Sequence, residues 1–302
     1  MRRTFITVIL CLIGSSLFAQ QDAQTSMYFF NPLQYNPGYA GSRDALNITG
    51  VSRAQWIGWD GAPNSQFLSI HAPVVRQNLG VGANFAYDKI GSRSGFNAMV
   101  NVAYHMRLNK DDMRLSLGLS GGIQQYGYNF SGLVVTDPND PSYTNSFTQT
   151  KANFGFGAYL YAKKFYAGLS VPRLIKRSID NNTGNSYLQR HLYLTGGYVF
   201  ELNSVLDLKP SVLIKYTGSG PLIADLNMSA HLYKKIWVGA LYRTTDCAGV
   251  NASYQLTNYC MVGYAFDFPL NGKMLNQWGT HEFVLSFDIR GKNNAIQSPR
   301  YF

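Results

Sequence analysis

Residues 113–120 read Met-Arg-Leu-Ser-Leu-Gly-Leu-Ser, a strict alternation of apolar with polar or small side chains. In an extended chain successive side chains point to opposite faces. Met113, Leu115, Leu117 and Leu119 therefore share one face, and Arg114, Ser116, Gly118 and Ser120 the other. The same period of two recurs along the chain. Leu79, Val81, Ala83, Phe85 and Tyr87 alternate with Gly80, Gly82, Asn84, Ala86 and Asp88. Phe154, Phe156, Ala158 and Leu160 alternate with Asn153, Gly155, Gly157 and Tyr159; Leu226, Met228, Ala230 and Leu232 with Asn227, Ser229, His231 and Tyr233. Near the end Phe283, Leu285, Phe287 and Ile289 alternate with Glu282, Val284, Ser286, Asp288 and Arg290. With no comparable stripe at helical spacing, the chain is all-β.

The oily face of such strands meets either a soluble core or lipid, and three features select lipid. The opposite face is rich in Gly, Ser and Asn but also carries Asp, Arg and His, as a wet or hydrogen-bonded lumen does. The segments run near ten residues, enough to cross the hydrocarbon when tilted. Connections also sort by length. One set (109–112, 162–164, 201–204, 233–235, 255–258) is tight, whereas the other (54–62, 128–149, 172–186, 269–279) is long and holds most of the loop Pro, Asn and Gly. Short periplasmic turns and long outer loops are the barrel pattern. The expectation is a transmembrane antiparallel β-barrel of about fourteen strands. They start near Asp44, Pro63, Leu79, Ser94, Asp112, Lys151, Lys164, Tyr187, Val205, Leu222, Ile236, Cys247, Tyr259 and Thr280.

Composition agrees. Charged residues make up 14% of the chain, against about 25% in soluble domains. Tyr (21), Phe (18) and Gly (29) are abundant, and the mean hydropathy is −0.13. The net charge of +10 points to acidic lipid headgroups or an acidic protein partner, or to plain solvation of loops, rather than to nucleic acid.

Arg2 and Arg3 precede an apolar run, Thr4 to Phe18, and Ala19 precedes Gln20. This is the layout of a secretory signal peptide cleaved after Ala19; Cys11 follows Leu10 in mid-run, unlike a lipid-bearing cysteine. The remaining cysteines, Cys247 and Cys260, form a disulfide or stay as free thiols. The expected divisions are a signal peptide (1–19), an N-terminal periplasmic or plug segment (20–43), the barrel (44–290) and a C-terminal tail (291–302). Both ends are expected on the periplasmic side.

The mature N-terminus carries Gln21-Asp22-Ala23-Gln24, then Tyr28-Phe29-Phe30-Asn31-Pro32 and Asn36-Pro37-Gly38-Tyr39-Ala40-Gly41-Ser42. This order resembles the opening of the PorP/SprF family, outer-membrane proteins tied to type IX secretion and gliding motility in Bacteroidetes. Gly38 stands where the family usually has Ala. Further similarity lies in Gln55-Trp56 with Gly58, Gly61-Ala62-Pro63, Gly168 to Pro172, Tyr264 to Asp267, His281-Glu282 and the Arg300-Tyr301-Phe302 ending. The resemblance implies an outer-membrane barrel working with secreted proteins. Its partners are then membrane lipid, a secreted type IX cargo or adhesin, or periplasmic ring proteins of the secretion machinery.

Asn31, Pro32, Asn36, Pro37, Tyr39, Gly41, Trp56, Gly58, Pro63, Pro172, Asp267 and Glu282 are the motif residues and candidate partner contacts. Physically, Asn31 and Asn36 each precede a proline and are held extended, and Gly38 and Gly41 permit positive φ. The segment reads as a rigid fold-back, either a docking surface or a seal for the barrel mouth. Trp56 and Trp59 read as an interfacial girdle or as a partner contact. Asp137 and Asp140 sit in one long loop, and Arg173, Lys176, Arg177 and Asp180 in another; such loops are the default place for outside partners.

The lumen-facing charges His105, Arg107, Asp225, His231, Asp288 and Arg290 are expected to pair structurally. An enzyme is not expected: no H-E-x-x-H motif occurs, and Gly155-Phe156-Gly157 lies on a strand rather than at a phosphate-binding turn. No cofactor or metal is called for. The leading function is anchoring or assembly of secreted surface proteins. The alternatives are a core machinery component contacting the periplasmic ring and a simple diffusion porin.

Overall fold

The computed structural model describes residues 23–74, 78–108, 113–131, 146–178, 187–218, 220–244, 247–270 and 278–290. The expected signal peptide (1–19) and C-terminal tail (291–302) lie outside the described residues, as do Asp137, Asp140 and Asp180.

Strands dominate: β1 (Leu46–Ala54), β2 (Asn64–Val74), β3 (Leu79–Ile90), β4 (Arg93–Arg107), β5 (Arg114–Tyr128), β6 (Phe147–Tyr161) and β7 (Phe165–Val171) come first. A small hairpin follows, β8 (Arg177–Ser178) with β9 (Tyr187–Leu188), then β10 (Leu192–Tyr198) and the short β11 (Phe200–Glu201). The chain finishes with β12 (Leu206–Tyr216), β13 (Ile223–Leu232), β14 (Ile236–Arg243), β15 (Cys247–Gln255), β16 (Cys260–Pro269) and β17 (Thr280–Ile289). Neighbours in sequence pair antiparallel, β1 pairs with β17, and β10 pairs with β12. The result is a closed antiparallel barrel of 14 strands, with β11 outside the count because it pairs with β12 alone. Closure leaves no unpaired edge among the barrel strands, which hydrocarbon demands.

The oily face points outward. Leu119, Phe154, Met228, Val250 and Phe283 are each more than half exposed, while Ser116, Asn153, Ser229 and Glu282 on the alternate positions are buried. A soluble sandwich would show the reverse. These exposed side chains form the belt that lipid covers.

Several strands begin where the alternation begins, at Leu79, Ile236, Cys247 and Thr280. Two depart by more. β6 starts at Phe147 rather than Lys151, because Thr148 to Lys151 are polar on both faces and show no alternation although they pair with β5. The eighth barrel strand starts at Leu192, since Tyr187–Leu188 belong to the separate hairpin.

Turns at the end where β1 starts are short throughout, including 162–164, 202–205 and 233–235. At the turn after β13, Lys235 N–H donates to Leu232 O (3.0 Å) across Tyr233 and Lys234, both at positive φ. The opposite end carries 55–63, 129–146, 172–191 and 270–279, but also the tight turn at Gly91-Ser92. Cys247 opens β15 at this long-loop end and Cys260 opens β16 at the short-turn end; both are buried and neither is in a disulfide.

Candidate functional site

Asn31-Pro32 and Asn36-Pro37 break any ladder, so residues before β1 cannot join the sheet. They form three single 3₁₀ turns instead, at Tyr28–Phe30, Pro32–Gln34 and Pro37–Tyr39. At the last of these, Asn36 Oδ1 accepts the Gly38 N–H (2.8 Å) while its Nδ2 donates to Ala158 O on β6 (3.0 Å). The segment thus folds compactly, and it lies inside the barrel.

It occupies the lumen from one mouth to the other. At the short-turn end Arg43 Nη1 sits 3.1 Å from Asp288 of β17, and the Gly41 N–H donates to His71 Nδ1 (3.1 Å). His105 Nε2 lies 2.9 Å from Ala40 O. Midway, Ser170 Oγ donates to Tyr35 O (2.7 Å), and the Tyr28 hydroxyl reaches Ser211 (3.3 Å). At the long-loop end Gln24 Nε2 donates to Asp225 (2.6 Å). The sequence places this end in the periplasm with the C-terminus; the structure instead puts Ala23–Ser26 beside the long-loop mouth. The charges that receive it are at that end of β13, β16 and β17.

The wall is carved to admit the segment. A Cβ on Gly80 would come within 1.9 Å of Ala40 O, one on Gly118 within 2.3 Å of Gly38 N, and one on Gly157 within 2.0 Å of Asn36 Oδ1. Gly80 and Gly118 are therefore required by backbone approach, and Gly157 by the Asn36 amide that its two hydrogen bonds hold in place. Apolar contact completes the seat: Met27, Tyr28, Phe29, Phe30 and Tyr35 pack with Val51, Phe67, Leu213, Trp237 and Val284 of the wall. Lys209 Nζ stands over the rings of Phe29 (5.4 Å), Tyr166 (5.8 Å) and Trp237 (5.5 Å), a cation held by aromatic faces.

The densest polar constellation sits at the long-loop end. Arg53 of β1 and Glu282 of β17 are direct cross-strand partners. Arg53 Nη1 donates to Glu282 Oε2 (2.8 Å) and to Ser26 Oγ (2.9 Å), and Nη2 donates to Asp267 (2.7 Å). Beside them Arg243 bonds both oxygens of Asp225 (2.8 and 2.9 Å). Two guanidinium groups thus face three carboxylates, all nearly inaccessible to water. The surplus negative charge meets donors of the N-terminal segment: the Ser26 and Met27 N–H groups on Glu282 (2.8 Å each), the Ser26 hydroxyl on Asp267 (2.5 Å) and Gln24 on Asp225. Buried charge persists only when paired and hydrogen-bonded, and here the segment supplies part of the pairing.

Among the motif residues, Asn31, Asn36, Pro37, Tyr39 and Gly41 are buried against the barrel's own wall, and Pro32 is half-buried there. Asp267 and Glu282 belong to the charge cluster. Pro63 is buried at the start of β2, while Trp56, Gly58 and Pro172 lie at the long-loop mouth with some exposure. There the 55–63 loop is tied to the segment before β17 by Ile57 N–H to Gly279 O (3.1 Å) and Trp278 N–H to Ile57 O (2.9 Å). The pairing leaves Ile57, Trp59 and Trp278 exposed together, Trp278 to 78%. Of the lumenal charges, Asp225, His231 and Asp288 are paired, His231 with Asp207 (3.3 Å); Arg107 and Arg290 are exposed. Sequence reasoning missed Arg53, Arg243, Gln24 and Ser26. The signal for Arg53 was a charge on the polar face of a barrel strand, following Asn47, Thr49 and Val51 in register.

Comparison with known structures returns outer-membrane barrels. The Ralstonia pickettii toluene transporter TbuX has a TM-score of 0.50 at 9% identity, covering 85% of this chain and 92% of that one. A Pseudomonas aeruginosa FadL homologue gives 0.48 at 12% identity, with 92% and 96% covered. The Acinetobacter baumannii outer membrane protein Omp33 gives 0.47 at 10%, with 82% and 98% covered. At 9% identity the likeness to TbuX speaks for the fold alone, and the two lower scores carry no argument. No curated protein matches the chain significantly. The family described as type IX secretion system membrane protein PorP/SprF matches residues 17–287, from before the lumenal segment to the last strand. With that span covered and the barrel closed, the chain belongs to the PorP/SprF family of type IX secretion membrane proteins and is a β-barrel of the outer membrane.

Proposed function

We propose that this barrel anchors or assembles secreted surface proteins at the outer membrane and is not a diffusion pore. The observation that carries this reading is the lumenal segment, bonded at both mouths and packed between. A barrel whose interior is filled by its own chain works through its ends. The long-loop mouth offers the apolar face of Ile57, Trp59 and Trp278, and Trp is enriched where proteins meet. Trp56, Gly58 and Pro172 stand at that mouth as the motif residues placed to touch a secreted cargo or adhesin. The buried motif residues act indirectly, by holding the plug. Export with cleavage after Ala19, and a role in gliding, belong to this reading.

A second reading, a core component contacting the periplasmic ring, is favoured by the exposed basic side chains of the short-turn end, among them Lys163 and Lys235. Deletion of the gene separates them. Loss of one or a few proteins from the cell surface, restored by the wild-type gene, supports the anchoring role. Loss of all type IX cargo supports the machinery role, and an unchanged surface proteome overturns both. Large stable conductance of the purified wild type in planar bilayers would restore the porin reading.

A further inference from the structure

The outer wall is not uniform. Between β10 and β12 the ladder runs from Leu192↔Tyr216 to Gly197↔Ser211, stops, and resumes at Phe200↔Leu208. Pro210 stands in the gap and has no N–H to give, and the Val199 N–H turns to Lys164 O on the other side (2.7 Å). Gly196 and Gly197 come just before the gap, so two successive positions lack side chains. Outside the barrel this leaves an apolar furrow of about 860 Å³ lined by Gly196, Tyr198, Pro210, Val212, Met228 and Tyr242.

The furrow is blind. A Cβ on Gly197, which faces inward, would lie 2.4 Å from the Tyr166 ring, and behind Pro210 Lys209 is held by Phe29, Tyr166 and Trp237. On the outer side a Cβ on Gly196 would meet nothing nearer than 3.7 Å. Exposed Leu194, Leu226, Met228 and Val238 surround it, so it lies within the lipid belt. Its volume is that of a small-molecule cleft. A protein partner would need a face of about 800 Å², and a single furrow between Tyr198 and Met228 matches a chain instead. Lipid tails are as apolar as the wall, so retention rests on van der Waals packing, and a chain seated in the furrow meets wall atoms on more sides than one lying on the smooth wall.

We propose that the furrow seats one acyl chain of a glycerophospholipid, drawn from the leaflet on the short-turn side, where Phe165 and Tyr198 lie. The full-length mature protein would be reconstituted into phosphatidylethanolamine and phosphatidylglycerol vesicles containing a trace of phosphatidylethanolamine with a diazirine-bearing acyl chain. After irradiation, adducts are mapped by peptide mass spectrometry. Labelling several-fold higher at 196–198 and 210–212 than at Leu119 and Phe154, which are more exposed, is expected. Gly196→Phe, which fills the furrow, is expected to abolish that excess while heat-modifiable gel migration stays normal. Should that variant fail to fold, Ala240→Phe fills the furrow from its far wall and is read the same way. Even labelling around the barrel, or an excess unchanged by filling, overturns the proposal.

Discussion

Arg53 and Glu282 face each other across the seam between the first and last strands, 2.8 Å apart, and the Glu282 carboxylate also receives the Ser26 and Met27 N–H groups. One side chain therefore joins the ring to itself and to its plug. Glu282→Ala leaves Arg53 with Asp267 as its one carboxylate partner and leaves two plug donors unmet. Breaking a buried pair of this kind costs about 3–5 kcal/mol, and the cost falls on the plugged state. The variant is expected to show channel openings in planar bilayers where wild type is quiet. A variant as silent as wild type would mean the plug is held elsewhere.

Gly118 and Gly121 are three residues apart on β5 and face opposite ways. A Cβ on Gly118 meets Gly38 N at 2.3 Å, whereas one on Gly121 meets the Phe154 ring at an ordinary 3.5 Å. Overpacking typically costs about 1–3 kcal/mol. Gly118→Ala is expected to lower the unfolding midpoint in urea and to expose residues 23–43 to protease. Gly121→Ala should change neither.

Leu119 is 64% exposed near the middle of β5, and Leu108 is exposed just beyond the end of β4. If lipid covers the belt, Leu119→Arg destabilises the folded barrel by about 2–4 kcal/mol, and Leu108→Arg by about 0–1. Reversible unfolding from liposomes measures both. Equal effects would place Leu119 outside the hydrocarbon.

Cys247 and Cys260 open neighbouring strands from opposite mouths, Cys247 opposite Pro269 and Cys260 opposite Phe287. A disulfide needs Cα atoms within about 7 Å. Reduced and unreduced protein should migrate identically, and both thiols should react with maleimide only after unfolding.

The fold was legible because a barrel writes its two environments on alternate residues. Leu79 to Tyr87 and Met113 to Ser120 display that alternation without help from the rest of the chain. Where a strand turns polar on both faces, as β6 does from Thr148 to Lys151, alternation stops though pairing continues, so its start was placed late. The short β8–β9 hairpin gave no pattern of its own. The site was less legible. Asp267 and Glu282 stood out only through motif resemblance, and Arg53 looked like any polar lumen residue. What joins Arg53, Asp267 and Glu282 to Ser26 is ring closure, which brings together positions more than two hundred residues apart and leaves no local trace. The N-terminal prolines announced a segment outside the sheet, but its direction through the lumen follows from the carboxylates that receive it.

The seam pairing also bears on biogenesis. Sliding β17 by a single residue against β1 would turn Glu282 toward hydrocarbon and Phe283 into the lumen. The leading segment would then lose its acceptor at the moment the last hydrogen bonds form. Because the same carboxylate reads both the neighbouring strand and the threaded chain, the protein carries an internal gauge of its own correct closure, and a misregistered ring is left unlatched.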